Sequence, residues 1–148
     1  MRAGAVRRRL GLAAALALTL AACGRSDPER ELRATIDRMA RAIEARRPDD
    51  FLDGLADDFT RETGAFDKRD ARRLLAGLMV RNERITLTVA VTEVELSGSR
   101  ARVSMQVLAT GSSGGLIPER GQAWTFETRW RREGNAWKAF NAEWRESF

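Results

Sequence analysis

Trp130-Arg131-Arg132-Glu133-Gly134-Asn135-Ala136-Trp137-Lys138-Ala139-Phe140 is the stretch from which the chain becomes readable. Just before it, Trp124, Phe126, Thr128 and Trp130 occupy alternate positions, with Glu127, Arg129 and Arg131 on the opposite parity. A period of two with one apolar face is a half-buried strand. Gly134-Asn135 reverses the chain. A second strand then runs from Ala136 to about Arg145, anchored by Trp137, Phe140 and Trp144. Trp137 and Phe140 differ in parity, so this strand is expected to carry a bulge.

Toward the N-terminus the same period continues. Val103, Met105 and Val107 alternate with polar residues after the turn Ser97-Gly98-Ser99. Before that turn, Ile85, Leu87, Val89 and Val91 keep one phase, and Val94 and Leu96 keep the other. A phase jump inside one strand predicts a β-bulge near Thr92-Glu93. The Gly/Ser-rich stretch 111–121, with Pro118, reads as a loop. It lacks the Gly-Lys-Ser/Thr ending of a phosphate-binding loop.

Further upstream the period becomes helical. Leu32, Ile36, Met39, Ala40 and Ile43 form one stripe, opened by Ser26-Asp27-Pro28-Glu29 and closed by Pro48. Ser26 and Glu29 have capping-box spacing, and Pro28 suits the first turn. Asp49-Asp50 is expected to cap a second helix with Phe51, Leu52, Leu55 and Phe59 on its buried side. Residues 60–66 read as a connection with room for a short strand. A third helix from Asp67 is expected to bury Ala71, Leu74, Leu75, Leu78 and Met79. The predicted class is α+β: three N-terminal helices packed on a curved, bulged antiparallel sheet of four strands or slightly more.

Helices in this order, followed by long bulged strands and a Trp-bounded Gly hairpin, resemble the nuclear transport factor 2-like superfamily, which includes ketosteroid isomerase and polyketide-cyclase-like proteins. The resemblance covers about residues 28–146. It implies a cone-shaped sheet around an apolar pocket, with the hairpin between the second and third helices shortened or missing. It does not carry an activity, because fold does not give function. The isomerases of this fold pair an acid with a tyrosine and the dehydratases use histidine; this chain has neither residue. The epoxide hydrolases of the fold use Asp and Arg, and the four strands read here contain no Asp.

Cys23, the one cysteine, ends the run Leu20-Ala21-Ala22-Cys23. Before it lie an apolar segment, Leu10 to Leu20, and a basic segment with Arg2, Arg7, Arg8 and Arg9. Basic, apolar and small residues in that order form a secretory signal, and the apolar run is too short to span a bilayer. The ending resembles the lipobox of bacterial lipoproteins. That resemblance implies cleavage between Ala22 and Cys23 and lipidation of Cys23, giving a signal peptide at 1–22, a lipidated N-terminus and linker at 23–27, and one domain at 28–148. Gly24 after the cysteine, by the same resemblance, points to the outer membrane facing the periplasm.

The formal charge of +5 is largely a property of the signal. Residues 1–22 hold four arginines and no acid, so 22 basic side chains face 21 acidic ones in the remainder. A near-neutral domain gives no electrostatic footprint for nucleic acid. Without histidine, any acid–base chemistry falls to Asp, Glu, Lys or Arg. Thr128 and Trp130 share the parity of the pocket face. Asn141 and Glu143 share the parity of Trp137, so a buried Glu143 would serve as a general base beside Asn141. Glu93 and Glu95 lie on one strand face after the inferred bulge and are expected to be solvated. No metal or cofactor is expected.

The leading expectation is a lipid-anchored, non-catalytic domain that binds a small apolar ligand, or docks a second copy or an envelope partner through its sheet face. The alternatives are a cone-fold isomerase or hydrolase built on Glu143, and a structural accessory of an envelope complex.

Overall fold

The computed structural model of the chain describes residues 26–112 and 120–147. The signal, Cys23 and most of the Gly/Ser-rich loop therefore lie outside the described residues. Three helices, α1 (Pro28–Glu44), α2 (Pro48–Leu52) and α3 (Lys68–Arg81), pack on one six-stranded sheet. Its strands are β1 (Leu55–Arg61), β2 (Phe66–Asp67), β3 (Arg84–Ser97), β4 (Arg100–Ser112), β5 (Arg120–Glu133) and β6 (Ala136–Glu146), in the order β2-β1-β6-β5-β4-β3.

The α+β cone class is as expected, with two more strands than the four counted from periodicity. The extra pair corrects the second helix. Pro48 opens α2 behind Arg47, not behind Asp49-Asp50, and the helix ends at Leu52. Leu55 and Phe59, expected on that helix, belong to β1, which runs parallel to β6. Leu55 and Phe59 are buried in either geometry, since a spacing of four repeats on one face of both a helix and a strand. What selects the strand is tertiary. The Gly54 carbonyl accepts from Ala139 N at 2.9 Å, and a Cβ at Gly54 would collide with the Met39 side chain. The hairpin expected to be shortened or missing is present in short form, its second strand two residues long, with Thr60 opposite Asp67 and Arg61 opposite Phe66.

At the start of α1 the cap is Asp27, not Ser26: its carboxylate accepts from Glu29 N at 3.0 Å. α3 begins with a full capping box between Asp67 and Asp70. The backbone N–H of Asp70, and then that of Arg69, hold the Asp67 carboxyl below its ordinary pKa.

The long strands carry two bulges. One falls between Val91 and Glu93, where the phase of β3 jumps. The other lies in β6, where Trp130 pairs with Ala139 and Arg129 with Asn141, leaving Phe140 as the extra residue. Leu32, Leu52, Val103, Trp130 and Trp137 are the most deeply buried large side chains of the core. Burying side chains of this size is worth about 1.5–3 kcal/mol each.

Candidate functional site

The sheet curls round the helices and leaves a cavity of about 1300 Å³. Its floor is built from β3, β4, β5 and β6 with part of β1, and its roof from α1 and α3. Because Met105, Phe126, Thr128 and Trp130 face inward at a period of two, and Ile36, Met39 and Leu75 face them from helical stripes, the wall is apolar almost throughout. Ala139 and Ala142 line the same wall from β6, and their small side chains leave space at its centre.

One buried hydroxyl interrupts this wall. Thr128 is 6% exposed, donates from Oγ1 to the Val103 carbonyl at 3.1 Å and accepts from Trp130 Nε1 at 2.7 Å. Its hydrogen bonds serve the sheet and the neighbouring indole. Toward the rim Trp144 packs edge-on against Phe66 at 5.4 Å and lies 5.7 Å from Phe126. The Arg61 guanidinium covers its ring at 4.2 Å and donates to its carbonyl at 3.0 Å.

Apart from Thr128, the polar side chains among the described lining residues lie at the rim, where α3 ends and β4, β5 and β6 present their far ends. Arg81, Asn82, Thr110, Gln122 and Glu146 line it there. Gln122 donates to the Glu146 carboxylate, and Asn82 Nδ2 donates to the Leu78 carbonyl at 3.0 Å. Among the described lining residues, Arg81 and Glu146 are the titratable ones, and both are exposed.

Of the four pocket residues read from the sequence, Thr128 and Trp130 line the cavity, while Asn141 and Glu143 do not. The Phe140 bulge is the reason. It turns Ala142 and Trp144 inward, so Glu143 stands exposed on the outer face opposite Glu127. Asn141 is spent on structure: its Nδ2 donates to the carbonyls of Thr60 and Glu62, each at 3.1 Å. Glu143 therefore lacks both the burial and the donor that a general base would need. Glu93 and Glu95 are exposed on the same outer face. That face carries rows of like charge across strands, Arg102 opposite Arg129 and Glu127 opposite Glu143. Reading from sequence missed the contribution of α3 and of Ala142 to the cavity. Leu74, expected in the core, is 46% exposed on the cavity wall.

No curated protein gives a significant match to this sequence. Solved structures do. One is a candidate scytalone dehydratase from Novosphingobium aromaticivorans, at TM-score 0.72 and 14% identity, over 81% of this chain and 84% of that one. Another is a hexachlorocyclohexane dehydrochlorinase from Novosphingobium barchaimii, at TM-score 0.65 and 13% identity, over 81% and 86%. A third is a ketosteroid isomerase-like protein from Erwinia carotovora atroseptica, at TM-score 0.61 and 13% identity, over 80% and 95%. At these identities the likeness carries the fold alone. The sequence itself matches a family over residues 25–143, and on that ground the chain belongs to the SnoaL-like domain family.

Proposed function

We propose that this protein is a lipid-anchored periplasmic binding domain that encloses an apolar or amphipathic molecule and performs no reaction on it. The observation that carries the reading is the cavity of about 1300 Å³ with apolar walls and with its titratable lining groups at the rim. Pockets for drug-sized ligands measure about 300–1,000 Å³, so the space suits a large apolar body with a polar end left at the rim. Three tryptophans on the wall, Trp124, Trp130 and Trp144, offer broad contact area with little entropy to lose.

Several structurally similar proteins are named as a dehydratase, a dehydrochlorinase or an isomerase-like protein, which makes an enzyme the competing reading. An acid or base must come within hydrogen-bond reach of the proton it moves. Among the described residues, Thr128 is the polar group deep in this cavity, and its hydroxyl proton is already donated to Val103. That is why binding is the better reading. Location in the envelope follows from the lipobox resemblance at Cys23 and the Gly24 behind it.

Native mass spectrometry of the full chain extracted from membranes tests both parts. The expected result is a diacyl- or triacyl-modified N-terminus at Cys23 and a co-purifying apolar adduct. The adduct should be lost in Val107→Trp, which fills the cavity from β4. A protein without adduct, or an adduct retained by Val107→Trp, argues against the cavity as the binding site.

A further inference from the structure

The two ends of the cone differ, and the chain enters at one of them. At the first end lie the β3–β4 and β5–β6 turns, with Gly98 and Gly134 at φ 58° and 60°. They are tied together by Arg132 N donating to the Ser99 carbonyl at 2.8 Å. None of the residues from Glu95 to Ala101, nor those from Arg131 to Lys138, lines the cavity, so this end is closed. Among the described residues, the exposed polar rim, with Arg81, Gln122 and Glu146, is at the other end, where residues 113–119 fall outside those described.

α1 runs from the closed end to the rim. Near its start, Glu31 is hydrogen-bonded by the Ser26 hydroxyl and by the Arg132 guanidinium, which together hold its carboxyl below the ordinary pKa. At its finish, Glu44 Oε1 accepts from Leu87 N at 2.8 Å, and Arg46 reaches the carbonyls of Asn82 and Glu83. Ser26 directly precedes the Asp27 cap of α1, whose first turn Arg132 holds through Glu31, so the domain begins beside the closed end. Three residue steps separate it from Cys23, a reach of about 10 Å even when fully extended. From Arg132 to Gln122 along β5 the chain covers about 33 Å.

We propose that the closed end rests on the membrane and the cavity mouth faces away from it, so that ligand is exchanged with the aqueous phase and not with the leaflet holding the anchor. This rests on the lipid-anchor reading of Cys23. The ~10 Å tether is much shorter than the ~33 Å length of the cone, so inverting the domain would require pulling Glu31 from Arg132 and unwinding the first turns of α1. A ligand of this cavity is therefore one that travels dispersed in water or on a soluble carrier.

The experiment uses the lipidated full chain in phosphatidylcholine vesicles containing a lipid with a nitroxide headgroup. A fluorescent maleimide is placed at Ser99→Cys in the closed-end turn or at Arg84→Cys beside the mouth; acylated Cys23 does not react. Quenching of the label at 99 is expected to exceed that at 84 several-fold. Equal quenching, or stronger quenching at 84, overturns the orientation. In parallel, brominated palmitate carried on albumin is added, and quenching of the cavity tryptophans is followed in the vesicle-bound form and in the soluble Cys23→Ser chain. Equal rates in both forms are expected; a vesicle-bound form that loads much more slowly overturns aqueous access. Absence of tryptophan quenching in both forms counts against the binding reading while leaving the orientation result intact. A chain recovered with a free thiol at Cys23 overturns the anchor reading and the orientation together.

Discussion

Trp130 Nε1 donates to Thr128 Oγ1 at 2.7 Å, two residues back on the same face of β5. The contact leaves an indole and a hydroxyl, both buried, satisfied by each other and by the Val103 carbonyl. It makes the cavity floor effectively apolar.

Thr128→Val keeps the shape and removes the acceptor of the Trp130 N–H. The buried donor left behind is expected to cost about 1–3 kcal/mol, read as a lower urea midpoint. Adding Trp130→Phe removes the orphaned donor, so the double variant should lose less than the sum of the singles. Affinity for an apolar ligand should not fall in Thr128→Val. A loss of binding without a loss of stability would show the hydroxyl in contact with ligand.

Glu143 faces Glu127 across the outer surface, and like charges directly opposite on a sheet repel. Glu143→Gln is expected to raise stability by about 0.2–1 kcal/mol and to leave ligand occupancy unchanged. A fall in occupancy, or the appearance of a catalytic defect in any assay the protein supports, would restore Glu143 to the site.

Arg46 holds a left-handed backbone at φ 59° and spends its guanidinium on the end of α3, donating to Met79 and Asn82 carbonyls at 2.7 Å each and to Glu83 at 3.1 Å. The Met79 carbonyl is one of those the last turn of a helix leaves without partners, and the Asn82 and Glu83 carbonyls follow directly after the helix. Arg46→Ala is expected to lose about 1–2 kcal/mol. Arg46→Gly gives up the same hydrogen bonds but relieves about 1 kcal/mol of backbone strain. Thermal melts should therefore rank the native chain above Gly, and Gly above Ala.

The Glu31 carboxyl is held below its ordinary pKa of 4.5 by hydrogen bonds from Ser26 first and Arg132 second. As pH falls the unfolded chain takes up this proton first, so the contribution is complete above the ordinary value and disappears as pH drops through the lower, folded one. The gap in Tm between the native chain and Glu31→Gln should thus be widest near neutral pH and narrow below pH 4.5. The pair lies at the surface, so high salt should shrink the gap as well. A gap that does not change with pH would assign the effect of the substitution to packing.

Much of the fold was legible because its signals are local. The apolar stripe that follows Asp67 marks α3, the period of two marks β3 to β6, and the jump from Val91 to Val94 marks a bulge. The candidate site was legible by half. Thr128 and Trp130 precede any irregularity in β5, so parity carries them to the cavity wall. Asn141 and Glu143 follow Phe140, whose extra residue inverts the parity of everything after it, and a one-residue slip moves each side chain to the other face.

Local sterics and side-chain period were enough, from the residue order of this chain, to specify an α+β architecture and the inward face of each long strand up to its bulge. Whether residues 55–61 became helix or strand, where β6 slipped, and that a space of some 1300 Å³ stayed open between α3 and β5 depended on contacts between distant segments. Ala139 N donating to the Gly54 carbonyl, and Glu62 N donating to the Ala142 carbonyl, are hydrogen bonds between segments far apart in the chain. Such bonds exist only once the sheet has curled, and no window of neighbouring residues contains both partners.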